Sequence, residues 1–75
     1  MGILLGAEES LRTVTIRQAA ILLDCSVSKA RILFDAGELH GHQDPRSNYR
    51  RILLSSVVRY MDRAGISRER LRLIE

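Results

Sequence analysis

The chain has 75 residues, 45% of them hydrophobic, with 12 Lys+Arg against 9 Asp+Glu and a formal net charge of +3. That length limits it to one small domain, and the hydrophobic fraction supplies one compact core and excludes wholesale disorder. A lone cysteine, Cys25, excludes an intramolecular disulfide. With two scattered histidines it makes no zinc-ligand spacing, so neither a metal nor a cofactor is expected.

The charge is unevenly spread. Glu8 and Glu9 are the only charged residues before Arg12, so the remaining seven acidic residues face all twelve basic ones from Arg12 onward. A basic excess favours polyanionic partners, with nucleic acid the usual candidate. No apolar run approaches the ~20 residues that span a bilayer. The opening residues lack the basic n-region of a secretory signal and the Ser or Thr of a myristoylation signal. A cytoplasmic, nucleoid-associated location with no membrane partner is therefore expected.

Residues 1–11 read as a flexible lead-in whose Ile3, Leu4 and Leu5 could dock on the core or a partner. Thr15-Ile16-Arg17-Gln18 has capping-box spacing, with Thr15 as N-cap and Gln18 at N3. Ile16, Ala19, Ala20 and Leu23 then recur at helical intervals, with Val14 as a hydrophobic staple, and this helix should stop near Asp24. Ser26 is the next N-cap, Ala30, Leu33 and Phe34 share one face, and Gly37 takes the left-handed C-terminal position. Two short helices joined only by Asp24, Cys25 and Ser26 have the turn length of a helix-turn-helix.

After Gly37 the periodicity changes. Leu39 to Gln43 and Tyr49 to Leu53 flank Asp44-Pro45-Arg46-Ser47-Asn48, a run of turn formers, which predicts a β-hairpin with a polar tip. A third helix is expected from Ser55 or Ser56 to Gly65, carrying Val57, Val58 and Met61. Ser67 should cap a short final helix with Leu71 and Ile74 on one side. The expected division is a lead-in over 1–11, a domain over 12–66 and a short C-terminal helix over 67–75.

In a helix-turn-helix the second helix enters the major groove. Its outward residues here are Val27, Ser28, Lys29, Arg31 and Ile32, of which Ser28, Lys29 and Arg31 can reach phosphates or base edges. On the hairpin, alternation places Arg50 with Ile52 on one face and Arg51 with Tyr49 on the other. With Arg46, these arginines suit a wing on the backbone or in the minor groove. Arg17 and Asn48 complete the expected DNA-binding set. His40 and His42 read as surface residues and Cys25 as a small core residue. Arg59, Arg63, Arg68, Arg70 and Arg72 read as a solvated helix face.

The runs TIRQAAILLDCSVSKARILFDAGEL and GHQDPRSNYRRILLSSVVRYMDRAGI resemble the excisionase/MerR-type DNA-binding domain over about residues 13–66. The resemblance rests on Ala19-Ala20, Leu22-Leu23, Ser26, Gly37-Glu38-Leu39 and Tyr49-Arg50-Arg51-Ile52. It implies a mostly α fold with a small β-hairpin, a winged helix-turn-helix. It also implies a double-stranded DNA partner, with Lys29 and Arg31 on the recognition helix and Arg46, Arg50 and Arg51 in the wing. The chain departs from the family pattern at Gln18, where Glu is usual, and at Asp24, where Gly is usual. Cys25 stands at a small Val position, and Ile32 and Asp35 stand where basic residues are common.

A transcriptional regulator or excisionase-type factor is thus the leading expectation, with self-association or side-by-side binding through Ile3-Leu4-Leu5 or Leu71, Leu73 and Ile74. The alternative is a winged-helix adaptor for protein partners, favoured by Ile32, Asp35 and Glu38. No nucleophile–base pair and no phosphate-cradling loop is present, so no catalytic residue and no small-molecule substrate is expected.

Overall fold

The computed structural model describes residues 12–46 and 49–75. Its elements are β1 (Thr13–Val14), α1 (Ile16–Leu23), α2 (Val27–Asp35), β2 (Gly41–Gln43), β3 (Arg50–Leu53), α3 (Leu54–Ala64) and a 3-10 helix, η1 (Arg68–Ile74). The apolar patch Ile3-Leu4-Leu5 and the expected contact Asn48 lie outside the described residues.

The two helix starts follow from side-chain caps. Thr15 Oγ1 accepts from the Gln18 amide at 3.0 Å, and Gln18 Oε1 accepts from the Thr15 amide at 2.9 Å, closing the capping box on α1. Ser26 Oγ accepts from the Lys29 amide at 3.1 Å and starts α2. The helix ends share one device, a left-handed residue that lets the next amide reach back five residues. Asp24 (φ 55°) does this for α1, Gly37 (φ 84°) for α2 and Gly65 (φ 73°) for α3. The reaching bonds are Cys25 N to Ala20 O, Glu38 N to Leu33 O and Ile66 N to Met61 O, at 3.0, 2.9 and 2.8 Å.

The start of α3 differs from the expected one. It begins at Leu54, directly after β3, and Leu53 at the cap position provides no side-chain hydrogen bond. The Leu54 amide instead donates to the Arg12 carbonyl at 2.9 Å. Ser56 is not a cap: it is buried in the first turn, and its Oγ accepts from the His40 amide at 3.0 Å. That bond ties the segment between α2 and β2 to α3.

The sheet is antiparallel with order β1-β3-β2. Gly41 pairs with Ile52, His42 with Arg51 and Gln43 with Arg50, so the expected hairpin is present in shorter form. The strand β1, too short to read as one in the sequence, pairs Val14 with Ile52 on the other side of β3. Val14 therefore sits in a sheet and is buried there. The centre of the core is Leu22, Leu39, Ile52, Val57 and Met61, all but excluded from water. Phe34, expected with Ala30 and Leu33 on the core side of its helix, is half-buried and packs on the edge of the core.

The segment expected as a separate C-terminal helix does not stand apart. Leu71 and Ile74 pack against the same core, and η1 lies against α1 and α3. Its 3-10 form is tied to Ser67, whose Oγ accepts from the Glu69 amide at 3.1 Å. No helix among the described residues is long and apolar enough to cross a membrane.

Candidate nucleic-acid interface

The face of α2 away from the core is set by helical periodicity. Ala30 and Leu33 point inward and are buried. Ser28, Lys29, Arg31, Ile32 and Asp35 are exposed, and Val27 is half-buried. Among the described residues, neither Lys29 nor Arg31 has an acidic side chain within ion-pair distance. Their charges therefore have no counterion among the described residues.

Arg17, one helix earlier, is also exposed, with no acidic side chain in ion-pair range among the described residues. With Ile21, Ser26, Val27 and Arg70 it lines an open groove at the α1–α2 turn. Arg17 and the N-terminal turn of α2 thus border the same open groove.

On the hairpin, Arg46 and Arg51 are exposed, with no acid in ion-pair range among the described residues. Asp44 Oδ1 accepts from the Arg46 amide at 2.9 Å, an Asx turn that shapes the tip. The Arg51 guanidinium lies over the Tyr49 ring, 5.5 Å from its centroid. Register places His42 opposite Arg51 on the same face. These three residues, with Pro45, border a shallow concavity on the outer side of the hairpin.

Arg50 does not join them as an exposed cation of the hairpin. It shares the inward face with Ile52, as alternation requires, and only 18% of its side chain is exposed. Its Nη2 lies 3.9 Å from Asp35 Oδ1, and its guanidinium sits over the Phe34 ring at 5.8 Å. The physical reason is position: two residues beyond a fully buried Ile52, an inward side chain reaches the rim of the core and the last turn of α2.

The expected solvated arginine face divides in the same way. Arg63 donates to Glu38 at 3.2 Å, Arg68 grips Asp62 with two bonds at 2.6 and 3.1 Å, and Arg70 folds onto the end of α1. Arg59 and Arg72 stay exposed. The cations with no acid in ion-pair range among the described residues, on the exposed side of α2 and on the hairpin, are thus a selected subset of the basic residues.

No group of three or more His, Cys, Asp or Glu among the described residues could hold a metal ion. Burial pushes the Cys25 thiol above its ordinary value, against a smaller opposing pull from Lys29, so the sulfur stays a protonated thiol at neutral pH. No family model, curated protein or solved structure matches this chain. Phe34 and Asp35, read from the sequence as a core-side residue and as a departure from the family pattern, matter as the seat of Arg50. The alternation of Ile52 and Arg50 was the available signal, since it turned Arg50 inward.

Proposed function

We propose that this chain is a double-stranded DNA-binding module of winged helix-turn-helix type. In this reading α2 enters the major groove and the β2–β3 hairpin grips the backbone or minor groove. Ser28, Lys29 and Arg31 supply base and phosphate contacts, and Arg17, Arg46 and Arg51 supply phosphate contacts. The observation that carries it is that Lys29 and Arg31 project from the exposed side of α2 with no acidic neighbour in ion-pair range among the described residues. Unneutralised cations on a short helix that opens on a side-chain cap suit a phosphate backbone. The resemblance to the excisionase/MerR-type domain points the same way, toward a transcriptional regulator or excisionase-type factor. A helix of nine residues reads few base pairs, so self-association or side-by-side binding would add specificity.

One observation favours the adaptor reading. Ile32, at the middle of the same face, is 61% exposed, and a solvent-facing isoleucine suits either a thymine methyl or a protein partner. Fluorescence anisotropy with a mixed-sequence duplex, titrated with salt, separates the two. Binding at low salt is expected, with affinity falling steeply as salt rises. Lys29→Ala and Arg51→Ala should each flatten the salt slope by about one unit. No binding at low salt would refute the DNA reading, leaving the adaptor.

A further inference from the structure

We propose that Arg50 is a positioning residue: it fixes the hairpin against the last turn of α2 and so governs sequence discrimination without touching DNA. The inference rests on the DNA-binding reading for its functional half and on geometry alone for its structural half.

The geometry starts at Ile52, which is excluded from water and held from both sides by Val14 and Gly41. This anchors the base of the hairpin. Strand alternation puts Arg50 on the same face, about 6–7 Å nearer the tip at ~3.3 Å per residue. There the guanidinium meets α2 twice, over the Phe34 ring at 5.8 Å and beside the Asp35 carboxylate at 3.9 Å. The hairpin is therefore tied to the core at Ile52 and to α2 at Arg50. Strand pairing and the Ser56–His40 bond hold the base of the hairpin, and the contact at Arg50 is the one that sets the direction of the part nearer the tip.

The contact is poorly built as a source of stability. At 3.9 Å the ion pair is too long for a hydrogen bond, and Arg50 Nε is buried with no hydrogen-bond partner among the described residues. A buried donor left unsatisfied costs free energy, and replacing such a group by an apolar one of similar length is often neutral or stabilising. What the guanidinium supplies is direction, since it must sit over Phe34 and reach Asp35 together. The angle between a groove-reading helix and its wing decides whether both engage one duplex in register. Arg51, on the opposite face of β3, remains the phosphate-facing residue of the pair.

Arg50→Met keeps the stem on Phe34 and removes the guanidinium. Arg50→Lys, which keeps the charge without the planar fork, guards against an effect of charge alone. Residual dipolar couplings of backbone amides in the free protein would report the orientation of the hairpin relative to α2. Anisotropy with a duplex enriched from a random pool, and with a mixed-sequence duplex, would report discrimination. Arg50→Met should keep or raise the unfolding midpoint, and both variants should reorient the hairpin and lower the ratio of enriched to mixed affinity about tenfold, the scale of one mismatched base pair. The salt slope should not change. Unaltered couplings, or a slope reduced by about one unit with the ratio kept, would overturn the proposal, the latter because Arg50 would then contact a phosphate directly. If the parent chain binds no duplex, the functional half falls with the DNA reading, and the couplings alone judge the structural half.

Discussion

Arg70 Nη2 donates to the carbonyl of Ile21 at 2.6 Å, across 49 residues of sequence. Arg70 Nε lies 3.1 Å from the Leu22 carbonyl, and the guanidinium is 3.5 Å from the Asp24 carboxylate. One side chain thus adds donors to the last-turn carbonyls of α1, where the Ile21 carbonyl also accepts from the Asp24 amide at 3.2 Å, and places positive charge at the negative end of the helix. We expect Arg70→Ala to lower stability by about 1–2 kcal/mol in urea unfolding, with an unchanged m-value. Arg70→Lys should restore less than half of that loss, because an ammonium cannot reproduce the fork. An Arg70→Ala chain as stable as its parent would refute the capping role.

Asp24 carries the only left-handed conformation of a non-glycine residue among the described residues, with φ 55°. The strain and the ion pair to Arg70 are separable by substitution. Asp24→Gly relieves the strain and should be neutral to slightly stabilising, by up to about 1 kcal/mol. Asp24→Asn tolerates the same conformation without charge and should change stability by no more than ~0.5 kcal/mol, since the carboxylate is 80% exposed. Asp24→Ala should be the most destabilising of the three, by about 1 kcal/mol. Thermal unfolding of the three variants tests the order.

Two hydrogen bonds from Arg68 hold the Asp62 carboxyl below its ordinary value of 3.8. A carboxylate whose folded pKa is depressed contributes stability above its unfolded pKa and loses it as pH falls through the folded value. The window is therefore acidic, from just above 3.8 downward. Carboxyl NMR titration should find the Asp62 midpoint low in the parent and returned to the ordinary range in Arg68→Ala. A midpoint that Arg68→Ala leaves in place would rule out this cause.

At Gly41 the two hairpin strands leave no room for a side chain. A Cβ there would fall 2.8 Å from the Cα of Ile52 and would also strike the Arg51 carbonyl oxygen, both backbone atoms. Gly41→Ala must push β2 away from β3 at the residue that anchors the hairpin. We expect a loss of about 1–3 kcal/mol and faster amide exchange across Gly41–Gln43 and Arg50–Leu53, with helix amides less affected.

The helix boundaries at Thr15, Ser26, Gly37 and Gly65 were readable because each rests on atoms three to five residues apart. The start of α3 was not, because its cap is the Arg12 carbonyl, delivered by the pairing of β1 with β3. Val14 shows the same limit: its burial was expected, but as a staple on α1, and the partner that makes it a strand is Ile52.

For the candidate interface, sequence alone determined which cations lie on the outward face of α2 and which way Arg50 and Arg51 point. Periods of 3.6 and 2 are properties of the backbone itself. Only the tertiary structure decided which arginines keep their charge free. Arg50, Arg63, Arg68 and Arg70 are drawn onto Asp35, Glu38, Asp62 and the end of α1, while Lys29, Arg31, Arg46 and Arg51 have no acid within ion-pair range among the described residues. The reason is that an ion pair depends on distance in space, and folding alone brings Arg70 to Ile21 or Arg50 to Asp35.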